Sequence, residues 1–268
     1  MNEILCSTGA LIGRPNGRDF RLLGELSRQI RYDGFEFMMY STWREQVDEI
    51  ADFVNGLSVN VPVVHCEKGV GELISKGEFK EAFEVFEISC NIANRLGAKK
   101  MVVHLWGGLA SDGNFENNLK GFKVISQTAS ERGIELLVEN IVCNNQNPMA
   151  RWSELRKAFP DVKFVFDTKM AEFHAQLPLL YSKEYEWLWK EERIKHIHVN
   201  DYSGGYMDWS RLKTLPVGKG QINFAEFFAF LRSVGYCGSF TAEGTAFDES
   251  GAVDTAMLAE QLALIKSF

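Results

Sequence analysis

The sequence predicts an α/β fold of the (β/α)8 or TIM barrel type, because short apolar runs alternate with longer segments of helical period along the whole chain. Eight runs qualify as strands, which in a chain of about 250 residues is the count of that barrel. A doubly wound sheet would more often carry a GxGxxG phosphate turn after its first strand, and STGALIGRPNG does not match that motif. No Pro-, Gly- or Ser-rich linker interrupts the alternation, so we expect a single domain over residues 1–268.

The predicted strands are short and largely apolar, as parallel strands that are covered on both faces should be. In chain order they are EILCS (3–7), GFEF (34–37), VPVVHC (61–66), KMVVHLW (100–106), IELLVEN (134–140), VKFVFDT (162–168), IKHIHVN (194–200) and SFTAE (239–243).

Helix punctuation marks several of the segments between these strands. Thr42 with Glu45 forms a capping-box pattern, and Asn223 with Glu226 repeats it. A glycine at or near the C-terminus of each segment suits the end of a helix. The segments are 41–56, 78–97, 117–133 and 223–235.

The charge balance argues against a nucleic-acid partner. The formal net charge is -7 and the Lys and Arg residues are scattered, whereas nucleic-acid binders usually show a basic excess or a basic stripe. This charge balance weighs against DNA and RNA as partners.

The N-terminal sequence lacks a basic leader, and no uncharged stretch is long enough to cross a bilayer, so we expect neither a signal peptide nor a membrane partner. The five cysteines form no CxxC pair, which indicates neither a disulfide framework nor a zinc ribbon and favours the cytoplasm. They are Cys6, Cys66, Cys90, Cys143 and Cys237.

Charged and imidazole side chains occur in the predicted strands with a common parity. Because side chains alternate along a strand, His104 opposes Val103, and Glu139 opposes Val138. In each strand the apolar set would face the helices and the polar residue would point into the barrel. The seven polar side chains expected on one rim are Glu36, His65, His104, Glu139, Asp167, His198 and Glu243.

Ionised groups this close would repel one another or shift their pKa values unless a cation lies among them. A divalent metal meets that requirement, and the alternative is a set of buried salt bridges. Three carboxylates and one imidazole favour manganese, magnesium or cobalt, and zinc stays open. These four candidate metal ligands are Glu139, Asp167, His198 and Glu243.

The motifs VVHLWGG, LLVEN, FDT, HIHVND, PVGKG and TAEG, read in order, resemble the strand-end signatures of the xylose isomerase-like superfamily of TIM barrels. That superfamily includes ketose 3-epimerases, inosose dehydratases, hydroxypyruvate isomerases and apurinic endonucleases. The resemblance covers about residues 30 to 245 and lies in the order of the motifs. In ketose 3-epimerases a Glu, Asp, His and Glu on strands five to eight hold the metal, and the two glutamates transfer the proton. The resemblance thus implies that Glu139 and Glu243 are catalytic.

One position departs from the family pattern. A His commonly stands three residues after the sixth-strand Asp, where it contacts substrate in epimerases and binds metal in the endonucleases, but this chain has Met170 there. His65 and His104 match positions that hold an extra zinc in the endonucleases. With Met170 present, we assign them to substrate contact or to hydrogen bonding inside the barrel.

Further substrate contacts are expected from Glu36, from Trp106 stacking on a sugar face, and from Lys169 binding an anionic group. The alternatives are a structural or metal-ligand-supporting role for Glu36 and an exposed position for Lys169. His196 lies one step deeper, and we expect it to have a structural role or to support a metal ligand. Cys66 should point away from His65, so no Cys/His nucleophile pair is expected.

We therefore expect a metal-dependent isomerase or epimerase of a small ketose or related hydroxycarbonyl sugar, which transfers a proton through a metal-stabilised enediolate. An inosose-type dehydratase on the same site is the first alternative, followed by a non-catalytic sugar-binding barrel. An apurinic endonuclease is the least favoured. Barrels of this kind often pair through their helices, so a homo-oligomer is also an open alternative.

Overall fold

The computed structural model describes residues 2–268, and within them eight parallel strands pair in chain order to form a closed barrel. The predicted (β/α)8 fold is confirmed. The strands are β1 (Ile4–Ser7), β2 (Gly34–Met38), β3 (Val63–His65), β4 (Lys100–Val103), β5 (Glu135–Glu139), β6 (Lys163–Asp167), β7 (Ile194–Val199) and β8 (Ser239–Ala242).

The observed strands are mostly shorter than the apolar runs that predict them. Val61 and Pro62 precede β3, since proline has no N–H to contribute to a strand ladder. His104 and Glu243 each follow the last residue of their strand. Two of the predicted rim residues therefore stand on the loops that begin at the carboxyl ends of the strands.

Helices separate the strands. Among the described residues the α-helices are α1 (Leu23–Gln29), α2 (Val47–Gly56), α3 (Gly69–Lys76), α4 (Phe79–Leu96), α5 (Phe115–Glu131), α6 (Pro148–Ala158), α7 (Thr168–Phe173), α8 (Leu177–Leu180), α9 (Trp187–Lys190), α10 (Phe224–Ser233) and α11 (Thr255–Ser267).

The capping predictions have different outcomes. Asn223 caps α10 as predicted, since its side chain accepts a hydrogen bond from the backbone N–H of Glu226. The prediction of a capping box at Thr42 is wrong. A 3₁₀ helix over Ser41–Gln46 precedes α2, and no side chain caps this 3₁₀ helix. Gly97 ends α4 with φ of 74°, in the left-handed region that glycine adopts most easily.

The described residues group into two compact units. The first unit comprises residues 2–35, Leu57–Asn60 and Phe166–Phe268, and the second comprises Glu36–Gly56 and Val61–Val165. The single-domain organisation expected over residues 1–268 stays a prediction. No helix among the described residues is both long and apolar enough to cross a bilayer.

In the first unit, β8 pairs with both β1 and β7. Ile4 lies opposite Phe240 in one ladder, and His198 lies opposite Thr241 in the other. Apolar packing behind the strands includes Phe166, whose ring stacks on Phe227 of α10 at a centroid distance of 6.0 Å. This packing fixes the strand ends from which the polar residues of this unit project.

The loop after β7 is organised by the buried carboxylate of Asp201. Its oxygens accept hydrogen bonds from the backbone N–H groups of Tyr202, Gly218, Gly220 and Ile222, at 2.8 to 3.1 Å. A Cβ atom on Gly220 would lie 2.4 Å from an Asp201 oxygen and 2.3 Å from the Tyr202 carbonyl. The PVGKG turn therefore needs glycine at position 220 so that its backbone can approach Asp201.

In the second unit, β2 to β5 and the first residues of β6 form a continuous parallel ladder. Glu36 lies opposite Val63, and Glu139 lies opposite Val165. Trp152 of α6 stacks on Phe164 of β6 at 4.4 Å between ring centroids. The register places Glu139 at the carboxyl end of β5, beside Val165 of β6.

Asp112 ties the loop after β4 to the loop after β5. This fully buried carboxylate accepts hydrogen bonds from the backbone N–H groups of Asn144, Asn145 and Gln146, and Arg151 Nε donates to it at 2.9 Å. Burial alone would raise the pKa of Asp112, but these hydrogen bonds and the Arg151 charge outweigh it, so the pKa is lowered.

We predict that Asp112→Asn lowers the free energy of unfolding by about 2 kcal/mol at pH 7, because a charge-assisted network around a buried group is weakened. The folded-state pKa is below the unfolded one, so this stabilisation is complete above about pH 4 and disappears as the pH falls further. Urea denaturation between pH 3 and pH 7 measures both effects. The exposed Asp161 supplies the control, Asp161→Asn. Equal stability of the two variants at pH 7 would contradict the prediction.

Candidate active site

In the first unit, the ends of β6, β7 and β8 bring together Asp167, His198 and Glu243. Asp167 and His198 are 1% and 0% exposed, and the Glu243 side chain is 14% exposed. His198 Nδ1 lies 3.5 Å from Glu243 Oε1. Three of the four predicted metal ligands are thus neighbours in this unit.

Asn200, one residue beyond β7, joins the two carboxylates. Its Nδ2 donates to Asp167 Oδ2 at 3.0 Å and to Glu243 Oε2 at 2.7 Å. Its Oδ1 accepts the backbone N–H of Lys169 at 3.0 Å, and its own N–H donates to Thr168 Oγ1 at 3.0 Å. The amide of this fully buried residue therefore holds both carboxylates in fixed positions.

Sequence reasoning did not assign Asn200 to the site. The signal was its place in HIHVND, directly after a buried strand whose neighbours end in carboxylates. An amide in such a place can donate to two acceptors at once.

Asp167 also begins the next helix. Its Oδ1 accepts the backbone N–H of Met170 at 2.7 Å, which is the N-cap bond of α7. One oxygen of this carboxylate therefore fixes the helix while the other faces Asn200. Met170 is held at the first turn of α7 by this contact.

His196 lies deeper in the same strand and is fully buried. Its ring hydrogen-bonds with Ser239 Oγ at 2.7 Å and with Thr241 Oγ1 at 2.8 Å, both on β8. Its ring meets that of His198 edge-on at 5.4 Å. These contacts anchor His196 to β8 beside His198, and its role in supporting a metal ligand stays a prediction.

In the second unit, His65, His104 and Glu139 form a compact group. Glu139 Oε2 lies 2.9 Å from His104 Nε2 and 3.3 Å from His65 Nε2. The two imidazoles meet edge-on at 4.9 Å. One ligand atom from each residue lies within 4.8 Å of the others, so this trio could itself hold a metal ion.

Protonation of the two imidazoles follows from their surroundings. Burial lowers the pKa of His104 to about 4 although Glu139 acts in the opposite direction, so His104 is neutral at pH 7 and donates a hydrogen bond to the carboxylate. His65 Nδ1 lies 2.8 Å from the Cys66 carbonyl, which can only accept, so Nδ1 carries the proton.

The other predicted substrate contacts differ in exposure. Glu36 is fully buried in β2. Trp106 is also fully buried, and its indole N–H donates to the Val142 carbonyl at 3.0 Å, which helps to hold the loop after β5. Lys169 is 8% exposed and donates from Nζ to Thr214 Oγ1 at 2.9 Å. The alternative of an exposed position for this lysine is therefore not observed, and the substrate contacts of all three stay predictions.

The absence of a Cys/His nucleophile pair is supported by the environment of Cys66. This thiol is fully buried, and burial raises its pKa to about 12, so it is protonated at neutral pH. The His65 Nδ1 beside it is engaged with the Cys66 carbonyl.

Fold and side chains together define a (β/α)8 barrel with carboxylates and imidazoles at the carboxyl ends of its strands. The family model for the xylose isomerase-like TIM barrel matches residues 25–267. The chain belongs to this family, as the order of its motifs predicts. Among curated proteins, none matches the sequence significantly.

Several solved structures share the fold at low sequence identity. D-allulose 3-epimerase from Methylomonas sp. has a TM-score of 0.71 and 16% identity, covering 99% of this chain and 96% of that one. A sugar phosphate isomerase/epimerase from Parabacteroides distasonis has a TM-score of 0.69 and 16% identity, and the match covers 100% of this chain and 96% of that one. An AP endonuclease of family 2 from Brucella melitensis has a TM-score of 0.66 and 17% identity, and the match covers 98% of this chain and 99% of that one. Such likeness shows the fold, and function has to be argued from side chains.

We predict that only one of the five thiols reacts in the folded protein. Cys6, Cys66, Cys90 and Cys143 are buried and burial raises the pKa of each, whereas Cys237 is exposed. Titration with Ellman's reagent should give one fast thiol in buffer and five in denaturant. Cys237→Ser is the matched control and should give none in buffer. Rapid labelling of Cys66 in that variant would show that our account of the thiol is wrong.

Proposed function

We propose that the protein is a divalent-metal-dependent isomerase or epimerase that moves a proton at a carbon next to the carbonyl of a small ketose or related sugar. The observation that carries this proposal is the shared amide of Asn200, which holds the carboxylates of Asp167 and Glu243 side by side next to His198. A fold relative that is a D-allulose 3-epimerase supports the choice of reaction.

The donor set fits a hard or borderline divalent cation. Asp167, Glu243 and His198 offer carboxylate oxygens and an imidazole nitrogen, and none is a thiolate. A neutral amide such as Asn200 orients two carboxylates without neutralising their charge, whereas a divalent cation does both. Manganese, magnesium and cobalt are the metals we favour, and zinc is a further option.

Glu139 is the fourth ligand of the proposed set. In the second unit, Glu139 lies opposite Val165 of β6. Val165 comes two residues before Asp167 in the chain. Parallel strands present their carboxyl ends at one end of a barrel, where the active sites of TIM barrel enzymes are built.

The chain's own residues supply the proton transfer. Glu139 and Glu243 stand on different strands, so each would face a different side of a substrate carbon, with one carboxylate removing the proton and the other returning it. His104 donates to Glu139 and fixes the direction of its oxygens. When bound, the metal would polarise the substrate carbonyl and stabilise the enediolate as a Lewis acid. The residues we assign to substrate contact are His65, His104, Glu36, Trp106 and Lys169.

We predict that Glu139→Gln and Glu243→Gln each lower proton exchange by about 10²- to 10⁴-fold, a larger loss than that in substrate binding, because a carboxamide cannot accept the proton. Exchange is measured by NMR as deuterium uptake from heavy water into D-allulose and other ketoses. Glu135→Gln, at the opposite end of the same strand as Glu139, is the matched control and should be active. Full exchange in either variant would contradict a catalytic role for the glutamate that it replaces. Loss of water from the substrate would identify the protein as a dehydratase instead.

We predict that purified protein contains a divalent metal and that its removal by a chelator lowers Tm and abolishes exchange, since a ligand that binds only the folded state stabilises it. Asp167→Asn should weaken metal binding by at least about tenfold, because it removes one charged ligand. Elemental analysis and calorimetric titration with Mn²⁺ measure these effects, with Asp161→Asn as the control. Equal Mn²⁺ affinity in the two variants would reject the metal site.

A further inference from the structure

Lys169 is a buried lysine at the edge of the proposed site. It stands two residues after Asp167, and its backbone N–H donates to the same Asn200 side chain that holds Asp167 and Glu243. The residue is 8% exposed, and its ammonium reaches the loop between β7 and α10, where it donates to Thr214 Oγ1 at 2.9 Å.

This ammonium has more hydrogen-bonding capacity than its surroundings use. A lysine has three N–H donors and a full positive charge, and burial of such a charge is costly unless an anion accompanies it. Among residues 2–268, no carboxylate oxygen lies within 4.0 Å of Lys169 Nζ, and its hydrogen-bond partner is a neutral hydroxyl. Nothing that the structure describes compensates the charge at close range.

The neighbours of Nζ are groups that bind anions well. Thr214 supplies a hydroxyl, and Thr245, two residues after Glu243, is exposed and donates from Oγ1 to the Thr214 carbonyl at 3.4 Å. Lys213, next to Thr214, is exposed and adds a second cation to the same loop. One ammonium and two hydroxyls thus stand on the segments that follow β6, β7 and β8, the strands that carry Asp167, His198 and Glu243.

We propose that Lys169 binds an anionic group of the substrate, so that the preferred substrate is a hydroxycarbonyl compound carrying a carboxylate or a phosphate ester in addition to the carbonyl. This inference rests on the proposed function and specifies its substrate class. A carboxylate carries one negative charge, which Lys169 alone balances, and a phosphate dianion would also engage Lys213. The two kinds of anion share the same chemistry of recognition, namely a charge-assisted hydrogen bond to Nζ with a hydroxyl beside it.

The first test measures binding without turnover. Glycerate and glycerol 3-phosphate are compared with neutral glycerol in thermal denaturation of the metal-loaded protein, because a ligand that binds the folded state raises Tm. We expect a rise in Tm from at least one anion and none from glycerol. The pair of anions tells a carboxylate site from a phosphate site.

Lys169→Met removes the charge with little change in side-chain volume and should abolish the Tm rise, whereas Lys183→Met, at an exposed lysine outside the site, should retain it. Thr214→Val is a second variant that leaves the lysine in place and should reduce the rise, so the test stands even if Lys169→Met fails to fold. An undiminished rise in Lys169→Met, or no rise from either anion in the wild type, overturns the proposal.

The second test uses turnover and separates this proposal from the proposed function. For an anionic hydroxycarbonyl substrate, Lys169→Met should raise KM by at least about tenfold and change kcat little, and for a neutral ketose the rise in KM should be much smaller. If the proposed function fails, deuterium exchange is absent while anion binding still depends on Lys169. If only this inference fails, deuterium exchange is present and Lys169→Met changes KM equally for anionic and neutral substrates.

Discussion

Asp167 and Glu243 accept hydrogen bonds from one buried amide, and the arrangement of the polar residues in the first unit depends on that interaction. These two carboxylates lie at the ends of β6 and β8, on either side of β7, and they repel each other unless something lies between them. Asn200 supplies donors to both, and its own position is fixed by Thr168 and by the backbone of Lys169. The amide sets the geometry of the carboxylates but leaves their negative charge, which is why the same geometry suits a divalent cation.

The loops that begin at the strand ends are fixed by two other carboxylates. Asp201 accepts four backbone N–H groups in the first unit, and Asp112 accepts three in the second together with Arg151. Hydrogen bonds to a charged acceptor are worth roughly twice those to a neutral one, so each aspartate holds its loop more firmly than a turn alone would. In IKHIHVND, therefore, Asp201 orders the following loop, whereas His198 and Asn200 lie beside the carboxylates of the proposed site and His196 lies one step deeper in the strand.

The sequence predicts the fold well because its signals are local. Alternation of apolar runs and helical segments gave all eight strands, and side-chain parity selected Asp167, His198 and Glu243, which the first unit brings together. One failure is a local pattern that the chain does not follow, and the other depends on contacts between distant segments. Thr42 has the pattern of a helix cap, yet the chain turns there as a 3₁₀ helix. Asn200 was not assigned to the site because its partners are 33 and 43 positions away in the chain.

The charge distribution bears on how an anionic substrate would be recognised. A net charge of -7 gives no long-range attraction for an anion, and exposed charges are screened beyond about 10 Å at physiological salt. Selectivity for an anion must therefore come from a cation at close range, in surroundings where water is largely excluded. Lys169 meets both conditions, since it is buried and its ammonium faces a hydroxyl instead of a carboxylate. A short-range contact of this kind slows dissociation of the ligand more than it speeds association.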